Sequence, residues 1–177
     1  MLKVIKSLIA LLIIIIALFI VIGIFLPKDY TVSRSVVIDA SSQQIHPYIN
    51  NLNNWPKWSP WVENDPTLKV TVGDIASGVG ASQSWVGKDG DGSLVITESN
   101  PQKGIDYDLE FNQGQFKCKS DFKYVPDGPD TQVVWEMKGK VDTPVLGGYF
   151  AAKMDKWVGA EFEKGLQNLK KAVEESK

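Results

Sequence analysis

The sequence predicts an α+β domain, a mostly antiparallel sheet packed on one long C-terminal helix, with a separate apolar helix at the N-terminus. Three observations lead there. Ser7–Leu26 is an uncharged run of Leu, Ile, Val, Phe and Ala. Six short stretches of strand-like pattern then follow one another between Leu68 and Val141. From Gly148 to Ser176 the apolar period switches to 3.6 residues, through Phe150, Met154, Trp157/Val158, Phe162, Leu166, Leu169 and Val173. Strands in succession followed by a helix indicate α+β with an antiparallel sheet.

The apolar run has the length of a membrane span, which takes about 20 residues at 1.5 Å each. A signal peptide has a shorter apolar region, about 7–15 residues, and a small-x-small cleavage site. Here the run leaves through Gly23-Ile24-Phe25-Leu26-Pro27-Lys28. No face of it is polar, as a helix half-buried in a soluble core requires. The expectation is an uncleaved anchor over 1–27, contacting the bilayer through residues 7–26, and one domain over 28–177. Lys3 and Lys6 favour a cytoplasmic N-terminus and a domain outside, periplasmic or extracellular. The single cysteine, Cys118, forms no disulfide within the chain and does not decide the compartment.

After a very short linker, Tyr30–Ala40 alternates as a first strand, with Val32, Val36 and Ile38 on one face. Ser41 or Ser42 caps a short helix on which Ile45, Tyr48, Ile49 and Leu52 recur at helical spacing. Pro47 falls in its first turns, where proline is tolerated. Then Trp55, Trp58 and Trp61, half of the six tryptophans in the chain, fall within seven residues and are separated by Pro56 and Pro60. Each buries roughly 150–250 Å², and the prolines exclude a long helix or inner strand. Such a knot either locks a core corner or lines the mouth of an apolar cavity.

Leu68–Gly73, Gly80–Val86 and Ser93–Glu98 are strand candidates separated by turns such as Lys88-Asp89-Gly90-Asp91-Gly92. In the next hairpin Ile105, Tyr107, Leu109 and Phe111 face the same side as Phe116, Cys118, Phe122 and Tyr124. A four-residue loop, Asn112–Gln115, sets Glu110 opposite Lys117 and Asp108 opposite Lys119 on a solvated face. Val133, Trp135, Met137 and Val141 form the last strand.

Net charge is −2 with both signs mixed, so no basic stripe suits nucleic acid, which is not an expected partner. One histidine and one cysteine make no zinc set, and no cofactor or metal is expected. Asp89-Gly90-Asp91-Gly92 lacks the later ligands of a calcium loop, and Gly73–Gly80 lacks the lysine of a phosphate loop; both read as turns. His46 has no obvious catalytic partner. Glu98 shares strand parity with Leu94 and Ile96 and so could reach a cavity rim; a strand-end residue turned to water is the preferred reading, because burying an unpaired charge is costly. No catalytic residue is assigned. Nothing in the sequence fixes an oligomeric state.

Val-Val-Ile-Asp-Ala-Ser-Ser-Gln-Gln-Ile (Val36–Ile45), leading into Asn-Trp-Pro-Lys-Trp-Ser-Pro-Trp (Asn54–Trp61), resembles the opening of SRPBCC (START-like, birch-pollen-allergen-like) proteins. The likeness is to the polyketide cyclase/dehydrase and lipid-transport branch, and the element order extends it over Asp29–Lys177. The resemblance implies a helix-grip fold, a curved seven-stranded antiparallel sheet gripping the C-terminal helix around an apolar cavity. The membrane anchor is an addition to the common pattern. By pattern Trp85, Tyr107, Phe111, Phe116, Tyr124, Trp135, Met137, Phe150, Met154 and Trp157 point to the sheet–helix interior. With Trp55, Trp58, Trp61 and Glu98 they are the candidate lining of the cavity that the resemblance implies.

The leading expectation is a membrane-anchored, non-catalytic domain binding a hydrophobic small molecule or lipid. Two alternatives stand beside it. One is a cyclase- or hydrolase-type enzyme using Glu98 with Tyr107 or His46. The other is an envelope interaction module with a filled pocket.

Overall fold

The computed structural model describes residues 2–88 and 90–176; Asp89, in the turn expected after Lys88, lies outside them. Helix α1 (Leu2–Phe25) is apolar on every side beyond Lys6, and it is long and apolar enough to cross a membrane. Its side chains stand almost wholly exposed, whereas a core helix of this composition would be covered. Among the described residues it is touched near its end: Gly23 is buried, and a side chain there would strike Val145 and Tyr149.

Among the described residues seven strands form one antiparallel sheet, in the order β1-β7-β6-β5-β4-β3-β2. They are β1 (Asp29–Ile38), β2 (Lys69–Val72), β3 (Ser82–Gly87), β4 (Gly90–Asn100), β5 (Gly104–Phe111), β6 (Phe116–Asp127) and β7 (Asp130–Lys140). The apolar alternation sets the register, since a slip of one residue would turn every core side chain to water. One inner rung thus runs Gln83, Leu94, Leu109, Cys118, Gly139, Tyr30 across six strands. The next runs Ile96, Tyr107, Ser120, Met137, Val32. The expected hairpin register holds: Glu110 faces Lys117 and Asp108 faces Lys119, with ion pairs of 2.6 and 2.9 Å. Asn112, Gln113 and Gly114 all have positive φ in the loop between them.

Strand parity breaks at one place. A bulge lies in β4 between Ile96 and Glu98, so Glu98 pairs with Asp106, on the outer face, and Ser99 takes the inner position opposite Ile105.

Between β1 and β2, α2 (Ser42–Asn50) leads through a 3₁₀ turn (Leu52–Lys57) to α3 (Pro60–Asn64). The Ser41 N–H donates to Gln44 Oε1 at 3.0 Å, half of the expected capping arrangement. Pro56 sits inside the 3₁₀ turn and Pro60 opens α3, so each proline occupies a place where its missing N–H costs little. Helix α4 (Gly147–Glu174) lies closest to β1. Arg34 of β1 clamps it, donating Nε to Glu163 at 2.6 Å and Nη1 to Asp155 at 2.8 Å. Gly159 leaves room for that guanidinium. The core occupies the space between the sheet's inner face, α2, the 3₁₀ turn and α4.

Candidate functional site

The sheet–helix interior has two ends. At the end away from α1 the rings are packed against one another. Trp135 on β7 is stacked between Phe122 (centroids 4.6 Å apart) and Phe162 (3.9 Å, planes 5° apart). Trp58 and Trp61 meet its edges at 5.7 and 5.6 Å. Trp55 joins Trp58 at 5.2 Å and Tyr107 at 5.7 Å. The indole N–H groups of the three buried tryptophans are used here: Trp55 donates to the Ile49 carbonyl (2.8 Å), Trp58 to the Tyr48 carbonyl (3.0 Å) and Trp135 to the Tyr107 hydroxyl (2.8 Å). Satisfied polar tips and edge-to-face rings make this a fixed arrangement. The tryptophan knot is therefore a core lock for Trp55 and Trp58; Trp61 caps the edge, more than a third exposed.

The other end is where α1 arrives. The Lys28 carbonyl accepts from the Val141 N–H at 3.0 Å, and Asp29 pairs with Lys140. On the same end of the sheet Trp85 lies opposite Gly92, Gly92 opposite Phe111, and Phe111 opposite Phe116. Gly92 has no side chain to lift the Trp85 ring, which lies across it and meets Phe111 at 5.7 Å. Trp85, Phe111 and Met154 are only half-buried, and Phe116 is 38% exposed. Met137 and Cys118 form the buried floor beside them, and burial pushes the Cys118 thiol up to about 11, which keeps it unreactive. The inner face thus passes from closed to open along its length.

Of the other sequence candidates, Tyr107 and Tyr124 are buried, while Phe150 and Trp157 stand 44% and 52% exposed. Those two do not line the interior. They and Leu146 fall on a stripe of α4 turned away from the sheet, so the 3.6 period marks two apolar faces there rather than one. Glu98 is exposed on the outer face beside a groove of about 480 Å³. Glu98, Asn100, Lys103, Asp106 and Lys123 line that groove together with Val79, Ile105 and Phe122. On this register Glu98 cannot meet Tyr107, whose hydroxyl already accepts from Trp135.

One polar cluster escaped the sequence reading. His46, buried on α2, has Nδ1 at 3.1 Å from the Tyr124 hydroxyl and Nε2 at 3.2 Å from Ser99 Oγ. Ser99 Oγ lies 2.6 Å from Asn50 Oδ1. The Gly78 N–H also donates to Oδ1, which fixes that atom as an acceptor, so the Ser99 proton goes to Asn50. Nε2 then carries its own proton and donates to Ser99, and Nδ1 accepts from Tyr124. A serine whose neighbouring imidazole nitrogen is protonated has no base to activate it. Burial holds His46 below the usual imidazole value, in keeping with this neutral tautomer, and raises Tyr124 well above the usual phenol value. The arrangement ties α2 to β4 and β6. His46 and Asn50 share one helix face at i, i+4 spacing, a signal the sequence did offer; the bulge that turns Ser99 inward left none.

The same architecture occurs in solved structures. A Chromobacterium violaceum protein, CV1439, superposes with a TM-score of 0.61 at 14% identity, over 81% of this chain and 96% of that one. A Thermobifida fusca protein gives 0.61 at 18% identity, over 81% and 92%. Ara h 8.0201 gives 0.60 at 10% identity, over 82% and 97%. At these identities the likeness carries the fold alone. No curated protein sequence matches. The sequence does match the family described as polyketide cyclase/dehydrase and lipid transport, over residues 29–174, from the first residue of β1 to the last of α4. The chain belongs to that family, with an apolar N-terminal helix set in front of the family's domain.

Proposed function

We propose that this protein is a membrane-anchored binding domain that takes a hydrophobic small molecule or lipid into the open end of the grip and performs no chemistry on it. The observation that carries the reading is the half-buried apolar set Trp85, Phe111, Phe116 and Met154 at the end of the sheet where α1 arrives. Large apolar groups left partly in water mark a surface that gains by being covered. Membership of a lipid-transport family supports a hydrophobic occupant. The exposed, uniformly apolar α1 supports an anchor through residues 7–26, and Lys3 and Lys6 favour the domain outside the cytoplasm. A short linker then keeps the open end at the bilayer surface, where apolar molecules concentrate.

The test uses the full chain in nanodiscs, with native mass spectrometry and the fluorescence of an added apolar dye as readouts. Retained lipid or saturable dye uptake is expected, weakened roughly five- to tenfold by Trp85→Ala, about the cost of one lost aromatic contact. A protein that stays empty and indifferent to added lipids would overturn the reading and leave the interaction module in its place.

A further inference from the structure

We propose that the first three turns of α4 lie in the interfacial layer of the bilayer, with Leu146, Phe150 and Trp157 inserted, so that the open end of the domain is held against the membrane. The proposal rests on the reading of α1 as a span and adds where the domain sits relative to it.

The first observation is one of depth. If Ser7–Leu26 fills a hydrocarbon layer of about 30 Å, Leu26 marks its edge and Phe19 lies roughly 10 Å inside, at 1.5 Å per residue. Tyr149 reaches Phe19. Their rings stack at 4.4 Å with planes 3° apart, and the Tyr149 hydroxyl donates to the Phe19 carbonyl at 2.8 Å. Gly148 packs on Leu26 and Gly147 on Lys28, so α4 begins at the level of the edge with one aromatic ring already below it. Gly23 and Gly148 permit this approach, since a side chain at either would meet the opposing segment; one at Gly147 would instead meet the Val141 carbonyl.

The second observation is the exposed stripe. Leu146, Phe150 and Trp157 are 40%, 44% and 52% exposed. At 100° per residue they fall within about 40° of one another on α4. This stripe lies between the line of Tyr149, which faces α1, and the line of Ala151 and Phe162, which faces the core. Phe150 and Trp157 rings stand 6.3 Å apart, forming a continuous patch. Lys153 falls on the same stripe and is exposed; its stem can lie along the patch while its ammonium reaches the headgroups. An amphipathic helix with Trp and Phe on one side and lysines at its border suits a bilayer interface. Continuity with α1 makes the occupant lipid rather than another protein: the patch starts where a span leaves the membrane.

The test places an environment-sensitive fluorophore on single cysteines of the full chain in phosphatidylcholine/phosphatidylglycerol vesicles, with nitroxide lipids as quenchers; the buried Cys118 stays in place. Phe150→Cys and Trp157→Cys report on the patch, Phe19→Cys on the span, and Lys119→Cys on the solvated outer face. Shallow nitroxides are expected to cut the signal at 150 and 157 by roughly twofold or more, with position 119 unchanged and position 19 quenched by deep nitroxides. Positions 150 and 157 behaving like 119, or 150 alone quenched, while 19 is still quenched, would overturn the docking and leave the anchor standing. An unquenched position 19 would instead overturn the anchor.

Discussion

The two ends of the sheet–helix interior are built from the same kinds of residue and come out differently. At the closed end Trp135 has rings on both faces and both edges. At the open end Trp85 meets Phe111 and is otherwise half in water. The difference is made by what the chain puts opposite. The 3₁₀ turn and α3, held short by Pro56 and Pro60, insert only at the closed end. There α4 also comes close, because Gly165 removes a side chain whose Cβ would stand 2.9 Å from Trp135 Cζ3 and 3.1 Å from Pro60 Cδ. At the open end α4 offers Met154 inward and turns Phe150 and Trp157 outward. One end of the grip holds the fold, and the other is left for an occupant.

The largest expected effect breaks that division directly. Trp135→Ala removes a side chain that is 1% exposed and stacked between Phe122 and Phe162. It is expected to cost about 3–5 kcal/mol in urea unfolding of the full chain in nanodiscs. Trp85→Ala should cost about 1 kcal/mol, the ordinary size for a partly exposed site, while weakening ligand uptake. Equal costs at the two positions would mean that the open end is core, and the comparison would collapse.

A smaller effect sharpens the closed end. Burial lowers the folded-state value of His46, so the unfolded chain takes the proton first as pH falls. The contribution of neutral His46 is complete above the ordinary value of 6.5 and is lost as pH drops below it. Melting temperature measured between pH 7.5 and 5 should therefore fall in the wild type. It should fall less in His46→Gln, whose amide can bond both Tyr124 and Ser99 without titrating. Parallel pH profiles would show that the imidazole carries no such burden.

The strands, the hairpin register and the long helix could all be read from the sequence, because each is set by a local period: alternation through Ile105–Phe111, the opposed charges of Asp108 and Lys119, and the helical spacing from Phe150 to Val173. Trp55 and Trp58 announced themselves by size. What could not be read depends on contacts between distant segments. The β4 bulge exchanged Glu98 for Ser99 on the inner face, and it is set by pairing with β5, not by the composition of β4. Phe150 and Trp157 match the helical period yet face away from the sheet, since the start of α4 answers to α1 as well as to β1. The candidate lining therefore mixed residues of the closed end, the open end, the outer stripe of α4 and, in Glu98, the outer face of the sheet, four places that one periodicity cannot separate.

The smallest expected effect serves as the control for all of these. Lys119 and Asp108 face each other at 2.9 Å on the outer face, the lysine largely and the aspartate about half in water. Lys119→Glu sets two carboxylates opposite one another across β5 and β6 while relieving the opposition of Lys119 to Lys138 across β6 and β7, so the net cost should stay below about 1 kcal/mol, the upper end for cross-strand charge pairs. Most of that loss should vanish in 1 M salt, where the screening length shrinks to about 3 Å, and Asp108→Lys in the same chain should restore it. Ligand uptake should not change, because this pair shares strands with Tyr107 and Cys118 but lies on the opposite side of the sheet. Uptake falling as far in Lys119→Glu as in Trp85→Ala would place the occupant outside the grip. Unchanged uptake, together with a loss in Trp85→Ala, assigns it to the inner face at the end where α1 arrives.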